Sequence, residues 1–400
     1  MRRAVVITGV GAITPLGVGA DTLIDRWTAG ASGIEDGLGR CAQFDPAQTL
    51  TRKQMHRSDR FTQLALAAAA EAIAGAGWAD ELPYPPERIG CIVGTGIGGV
   101  ETCMSQQTIL DERGADACSP LGIPMMMPNA ASGAIAMRYG IAGPNWSVAS
   151  ACAAGAHAIG TAARLVQIGE ADAIVTGGAE AAIAPLTIAA FARMLATSRT
   201  GVSRPFDARR DGFVLGEGAG VLVLEEAESA RARGAEPLGQ LLGYAATADA
   251  YHLTAPDPTG GGPARAIALA LEEARVGAAD VDYVNAHGTA TLLNDRVETA
   301  AIKRVFGDAA AQLPVSSLKS AIGHLLGASG AVEAVATVLA LRRRIAPPTL
   351  NWAAAEEGLD LDYVPVSAKP LRAAAHARRA VGISNSFGFG GHNAVLCIAA

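Results

Sequence analysis

Residues 146–166 read WSVASACAAGAHAIGTAARLV. A short strand-like run, Ser147 to Ala149, gives way to small residues that suit a tight turn, and an alanine-rich helical stretch, Ala153 to Gln167, follows at once. This strand–turn–helix order sets Cys152 at a helix start. There the positive end of the dipole and the free N–H groups favour a thiolate, and the same groups can hold an oxyanion on a bound thioester. A lone cysteine is more often a small, buried, inert side chain. This stretch alone leaves both readings open.

Outward from Cys152 the same alternation repeats. Strands are expected at Val5 to Thr8, Ile89 to Val93, Ala173 to Thr176 and Val221 to Leu224, then at Tyr283 to Asn285, Pro314 to Ser316, Val381 to Ile383 and Ala394 to Ile398. Helices are expected at Phe61 to Ala74, Pro263 to Ala274, Arg296 to Val305 and Gly330 to Leu341, apolar around most of their girth and so buried between sheets. The pattern is that of an α/β protein. With 400 residues, 50% of them hydrophobic and only 4% aromatic, the chain suits two packed domains of thin, closely stacked layers. A composition break at Gly239 to Asp249 places the boundary near residue 240, giving halves 1–240 and 241–400 with no flexible linker. A degenerate duplication of the two halves fits this division.

Several classes are disfavoured. A net charge of −6 gives no broadly basic face for nucleic acid. No uninterrupted apolar run of about 20 residues is available to span a membrane. The start, MRRAVVITGVGAITPLG, resembles a signal peptide only until Gly9, Gly11, Thr14 and Pro15 break it, so a buried strand and a cytoplasmic location are expected. The six cysteines form no CxxC pair, hence no zinc site and no disulfide framework. Gly94, Gly96 and Gly99 imitate a dinucleotide fingerprint, but PMMMP stands where a second strand with a terminal acid should follow. GEGAG at 216–220 leads into a strand and offers no helix N-terminus to a phosphate.

Two histidine turns change the standing of Cys152. VNAHGTATLLND puts His287 at a strand end in a Gly/Thr-rich turn. KSAIGHLLGASGAVEA puts His324 in another glycine-flanked turn, with Lys319 before it and Glu333 after it. Two imidazoles and one helix-capping thiol make an acyl-transfer centre. His56, His157, His252, His376 and His392 read as structural or surface residues. In ISNSFGFGGHNAVLCI, Gly388, Gly390 and Gly391 let backbone N–H groups approach a ligand, with Phe389 as a pocket wall or gate.

SACAAG, AHGTATLLND, KSAIGHLLGASG and NSFGFGG, in this order, resemble the signatures of the elongating β-ketoacyl-acyl-carrier-protein synthases, and SRPFDARRDGFVLGEGAGVLVLEE and DAYHLTAPDP extend the likeness over nearly the whole chain. The resemblance implies a thiolase-like fold of five layers, αβαβα, built from two similar halves and working as a homodimer. It implies that Cys152 takes an acyl chain from acyl carrier protein, that His287 and His324 assist decarboxylation of malonyl carrier protein, and that the enolate attacks the thioester, lengthening the chain by two carbons. The N–H groups of Cys152 and Phe389 would form the oxyanion hole, Lys319 and Glu333 would orient the site, and no cofactor would be needed beyond the carrier's phosphopantetheine. Thr254, Thr289 and Thr291 would bind that arm, while Val100, Cys103 and Met104 would line the acyl pocket.

The implied carrier protein is acidic, and Arg52, Lys53 and Arg57 are the basic candidates for docking it. The chain departs from the resemblance at Leu195, where a docking arginine is usual, and at Asp116 and Ala117, where some members are basic. A thiolase would bring a second cysteine into the C-terminal glycine loop, a starter-unit synthase an asparagine in place of His324, and a non-catalytic chain-length partner no nucleophile. None of these matches. A ketosynthase of a type II polyketide or polyene pathway stays open as the alternative to fatty acid synthesis.

Overall fold

The computed structural model describes residues 2–372 and 379–400; His376 lies outside them. Its main strands are β1 (Val5–Thr14), β2 (Ile89–Gly94), β3 (Asn145–Val148), β4 (Ala173–Glu180), β5 (Gly218–Glu226), β6 (Gly239–Ala248), β7 (Tyr283–Asn285), β8 (Val315–Ser316), β9 (Val381–Gly388) and β10 (His392–Ala399). They form one mixed sheet in the order β8-β7-β9-β10-β6-β1-β5-β4-β2-β3.

Taken as two sets of five, β1–β5 and β6–β10 share one plan: third, second, fourth, fifth, first. In each set the second strand is parallel to the third and fourth, and the fifth is antiparallel to the fourth and the first. The first strands pair antiparallel, Val5 to Ile7 against Leu241 to Gly239, and make the sheet continuous. The duplication expected from sequence is thus present in the topology. The composition break at Gly239 to Asp249 turns out to be mostly β6, a strand in its own right, half-exposed and built from glycine and alanine among its larger residues.

The helices that position the site are α1 (Arg60–Gly75), α2 (Val100–Arg113), α3 (Ala154–Ile168), α4 (Gly261–Ala274), α5 (Leu292–Phe306) and α6 (Ser329–Arg343). Helix α1 covers the outer face of the first half, α4 and α5 cover the outer side of the second, and α3 and α6 lie between the halves. With the two halves of the sheet lying between them, these make the five layers. Every residue of α6 from Ser329 to Leu341 is buried, which explains a helix apolar around most of its girth. Backbones nearly touch in the central layer. A Cβ on Gly155 would lie 2.8 Å from the Ala331 nitrogen, and one on Gly330 would lie 2.9 Å from the Ala156 nitrogen. The scarcity of aromatics follows from this spacing, since thick side chains would part these helices.

Candidate active site

The chain leaves β3 at Val148 and turns through Ser150, Ala151 and Cys152 before α3 begins. The turn is closed by Ala153 N–H to Ser150 O and Ala154 N–H to Ala151 O, both 3.1 Å. Ala151 sits at φ 49°, a left-handed backbone that an alanine adopts at a cost of about 1–2 kcal/mol. Cys152 is 7% exposed. Burial pushes its thiol up to about 11, against the pull of the Lys319 charge and of the N–H groups of Phe389 and of Cys152 itself. The helix start alone favours a thiolate; here burial outweighs it, and the sulfur rests as a thiol near neutral pH. The glycine loop lies directly on this turn, because a Cβ on Gly388 would sit 3.0 Å from Ser150 O and 3.1 Å from the Cys152 nitrogen.

The two histidines come from the other half. Their rings are 5.5 Å apart and almost perpendicular. His287 N–H and Gly288 N–H donate to the two oxygens of Glu298, at 2.8 and 2.7 Å, and Asn385 donates to the same carboxylate at 3.0 Å. Lys319 Nζ donates to His287 O at 2.6 Å and to His287 Nδ1 at 3.3 Å, and it pairs with Glu333. An ammonium has three protons, and all three are used. His287 Nδ1 is therefore an acceptor, and its ring proton resides on Nε2. His324 Nδ1 faces Ser329 Oγ at 2.9 Å, and that oxygen also accepts the Leu325 N–H at 3.0 Å. The serine proton is then free to point at Nδ1, an arrangement compatible with the His324 ring proton on Nε2.

Burial first, then the Lys319 charge, holds both imidazoles well below their usual range, so both are neutral donors. Burial pushes Glu333 up to about 7, with Lys319 opposing the rise.

Cys152, His287, His324 and Phe389 open on one cavity of ≈ 780 Å³. Thr254, Thr289 and Thr291 line it too, and the hydroxyls of Thr289 and Thr291 are 2.8 Å apart. Leu195, 83% exposed, and Leu253, 78% exposed, also border it. Val100, Cys103 and Met104 are not in its wall: Val100 packs beside Phe191 against a small core around Ile183 and Phe213, and Cys103 is exposed. Arg52, Lys53 and Arg57 are exposed on and after a short helix, Arg52–His56, capped by Thr51.

Sequence reasoning missed Glu298, Ser329, Asn385 and Glu180. Buried Glu180, at the end of β4, accepts from Thr95 Oγ1 (3.0 Å) and from the N–H groups of Gly96 (2.6 Å), Ile97 (3.2 Å) and Gly327 (3.0 Å). This explains part of the GxGxxG pattern, since a Cβ on Gly96 would lie 2.6 Å from Glu180 Oε2. The glycines serve close packing. Among the described residues no group of three or more His, Cys, Asp or Glu could hold a metal.

The family described as "Beta-ketoacyl synthase, N-terminal domain" matches residues 38–230, and its C-terminal counterpart matches 238–353. The chain belongs to the β-ketoacyl synthase family. As a β-ketoacyl synthase it is a condensing acyltransferase. It is 48% identical to 3-oxoacyl-[acyl-carrier-protein] synthase 2 of Synechocystis sp., covering 99% of this chain and 97% of the relative. It is 43% identical to the protein of the same name from Rhizobium meliloti, over 100% and 99% of the two chains. Among solved structures, the ishigamide ketosynthase/chain length factor superposes with a TM-score of 0.91 at 34% identity over the full length of both chains. A β-ketoacyl synthase from Burkholderia phymatum STM815 gives 0.90 at 34%, covering 100% of this chain and 99% of that one.

Proposed function

We propose that this β-ketoacyl synthase condenses malonyl-acyl-carrier protein with an acyl group carried on Cys152, extending it by two carbons in fatty acid biosynthesis. The observation that carries the reading is the pair of buried imidazoles, ring centres 5.5 Å apart, lining one cavity with a buried thiol. In the first step the Cys152 sulfur attacks the acyl thioester, the oxyanion accepts from the N–H groups of Cys152 and Phe389, and the carrier thiol leaves with the proton. In the second, the bond to the malonyl carboxylate breaks and carbon dioxide departs. The electron pair becomes an enolate whose oxygen takes both Nε2 protons as hydrogen bonds. Each such donor is worth about 10²–10³ in rate. The enolate carbon then attacks the Cys152 thioester, forming the carbon–carbon bond and releasing the sulfur.

No step in this route needs a cofactor or a strong base. Lys319 and Glu333 orient His287, and Thr254, Thr289 and Thr291 bind the pantetheine arm. Division into halves 1–240 and 241–400 fits the repeated strand plan, with the nucleophile in one half and both histidines in the other. A homodimer would use the β3 edge of the sheet, which has no further strand beside it among the described residues and exposes Trp146 (38%). The acyl pocket would extend past Val100, Cys103 and Met104 toward that partner. Arg52, Lys53 and Arg57 would meet the acidic carrier. A cytoplasmic location agrees with the fact that no described helix is long and apolar enough to cross a membrane.

A polyketide role is the second reading, favoured by one solved relative at 30% identity, a ketosynthase with its type II PKS acyl-carrier protein and bound to the hexaketide. An elongation assay with saturated and unsaturated acyl carriers and malonyl carrier protein decides between them. Two-carbon extension of saturated acyl groups is expected. Malonyl decarboxylation without extension of any of them would overturn the fatty acid reading.

A further inference from the structure

Ser150, two residues before the nucleophile, lies with its hydroxyl 2.6 Å from His157 Nδ1. His157 sits in the first turns of α3, and its ring meets β10 edge-on at His392, ring centres 6.4 Å apart, with the Asn393 backbone beside it. The Ser150 hydroxyl can donate the short bond to Nδ1 of the neutral ring. Asn393 passes the connection on: its Nδ2 donates to Asp249 Oδ1 at 2.7 Å and to Gly391 O at 3.4 Å, and Asp249 N–H donates to the same Gly391 carbonyl at 2.9 Å. One imidazole therefore ties the turn bearing Cys152 to the strand that follows the glycine loop. Gly388, at the other end of that loop, already rests on the turn. Phe389, whose N–H reaches the sulfur, is held between these two attachments. The edges of His392 and Tyr244, with ring centres 6.4 and 6.3 Å away, fix the plane of the His157 ring. Burial and His392 keep it neutral, with a pKa of about 4. Ser150, His157, Asn393 and Asp249 take no part in the chemical steps above.

We propose that His157 is a positioning residue for acyl transfer: by bridging Ser150 to Asn393 it holds the Phe389 N–H on the Cys152 sulfur and keeps the oxyanion hole assembled. The proposal rests on the reading that Cys152 carries the acyl group; decarboxylation at His287 and His324 draws on neither side of this bridge. A residue that merely supported the fold would affect both reactions alike.

The test compares Ser150→Ala, which removes a single oxygen, with His157→Gln, which keeps a donor for Asn393 but loses the acceptor for Ser150. Two readouts are measured: the pH profile of Cys152 alkylation by iodoacetamide, and malonyl-carrier decarboxylation. Loss of the N–H contact should raise the thiol's midpoint by about one pH unit and slow alkylation about tenfold at pH 8. Decarboxylation should change less than about twofold, and the double variant should be no worse than either single one, because both break the same link. An unmoved alkylation profile in Ser150→Ala, or an equal loss of both activities, overturns the proposal. A wild-type protein that is alkylated at Cys152 but never accepts an acyl group would instead overturn the underlying functional reading, with the alkylation data still judging the bridge.

Discussion

The two halves share a strand plan and differ in what they place at the same strand ends. After β2 the first half has Thr95, Gly96 and Ile97, gathered by the Glu180 carboxylate. After β7 the second half has His287 and Gly288, gathered by Glu298 in the same manner. One loop is only packed; the other presents an imidazole. After the third strand the roles reverse in part, with Cys152 in the first half and Lys319 and His324 in the second. Each half repeats a way of pinning a loop with a buried carboxylate, but neither holds a complete site. In the function proposed above, the nucleophile comes from one half and the proton donors from the other.

The sharpest way to break this division is Cys152→Ala. It should abolish condensation, a loss of at least about 10³, while leaving malonyl decarboxylation measurable in a carbon dioxide release assay. Loss of both would mean that the halves do not divide the work. His287→Ala and His324→Ala should each cost about 10²–10³ in decarboxylation, with Cys152 alkylation within a few-fold of wild type. The paired carboxylates sharpen the comparison further. Glu180→Gln and Glu298→Gln should each lower stability by about 1–3 kcal/mol in denaturant titrations, since a backbone N–H loses its acceptor. Only Glu298→Gln should also slow decarboxylation, by about tenfold.

The pH response of the first half follows from the buried thiol. With its midpoint pushed up to about 11, Cys152 alkylation should rise about tenfold per pH unit from pH 8 to 10 without a plateau. A plateau near pH 8 would show that the helix start prevails over burial. The sign for stability agrees. A pKa raised above the unfolded value of about 8.5 favours the fold below that value and is lost as pH climbs toward 11. The smallest effect is expected at the surface. Reversing Arg57 to Glu should raise KM for the carrier substrates about threefold at low salt and less at high salt, read from initial rates.

The fold was legible wherever β-branched runs met alanine-rich helices, and the duplication could be guessed from the break near residue 240. Strand β6 was missed because Gly239, Gly243 and several alanines blur its alternation. Cys152, His287 and His324 stood out because each lies in a turn of small residues, where a reactive side chain is conspicuous. Glu298 and Ser329 did not, because their partners are backbone N–H groups or rings reached only after folding; nothing in a helical sequence marks a carboxylate that caps a loop from outside. The charge state of Cys152 was left open for a related reason. A helix start is visible in sequence, whereas the degree of burial at one sulfur is not.

The central glycines set one more quantity. Helix α3 begins just after Cys152, α6 follows His324, and the two meet where Gly155 faces the Ala331 backbone and methyl and Gly330 faces the Ala156 backbone and methyl beside Ser386 Oγ. The gap between thiol and imidazole is thus gauged by backbone and methyl groups in close contact, with no slack to absorb a thicker spacer. A methyl group at either glycine would act as a shim and widen the reaction centre without touching any catalytic atom.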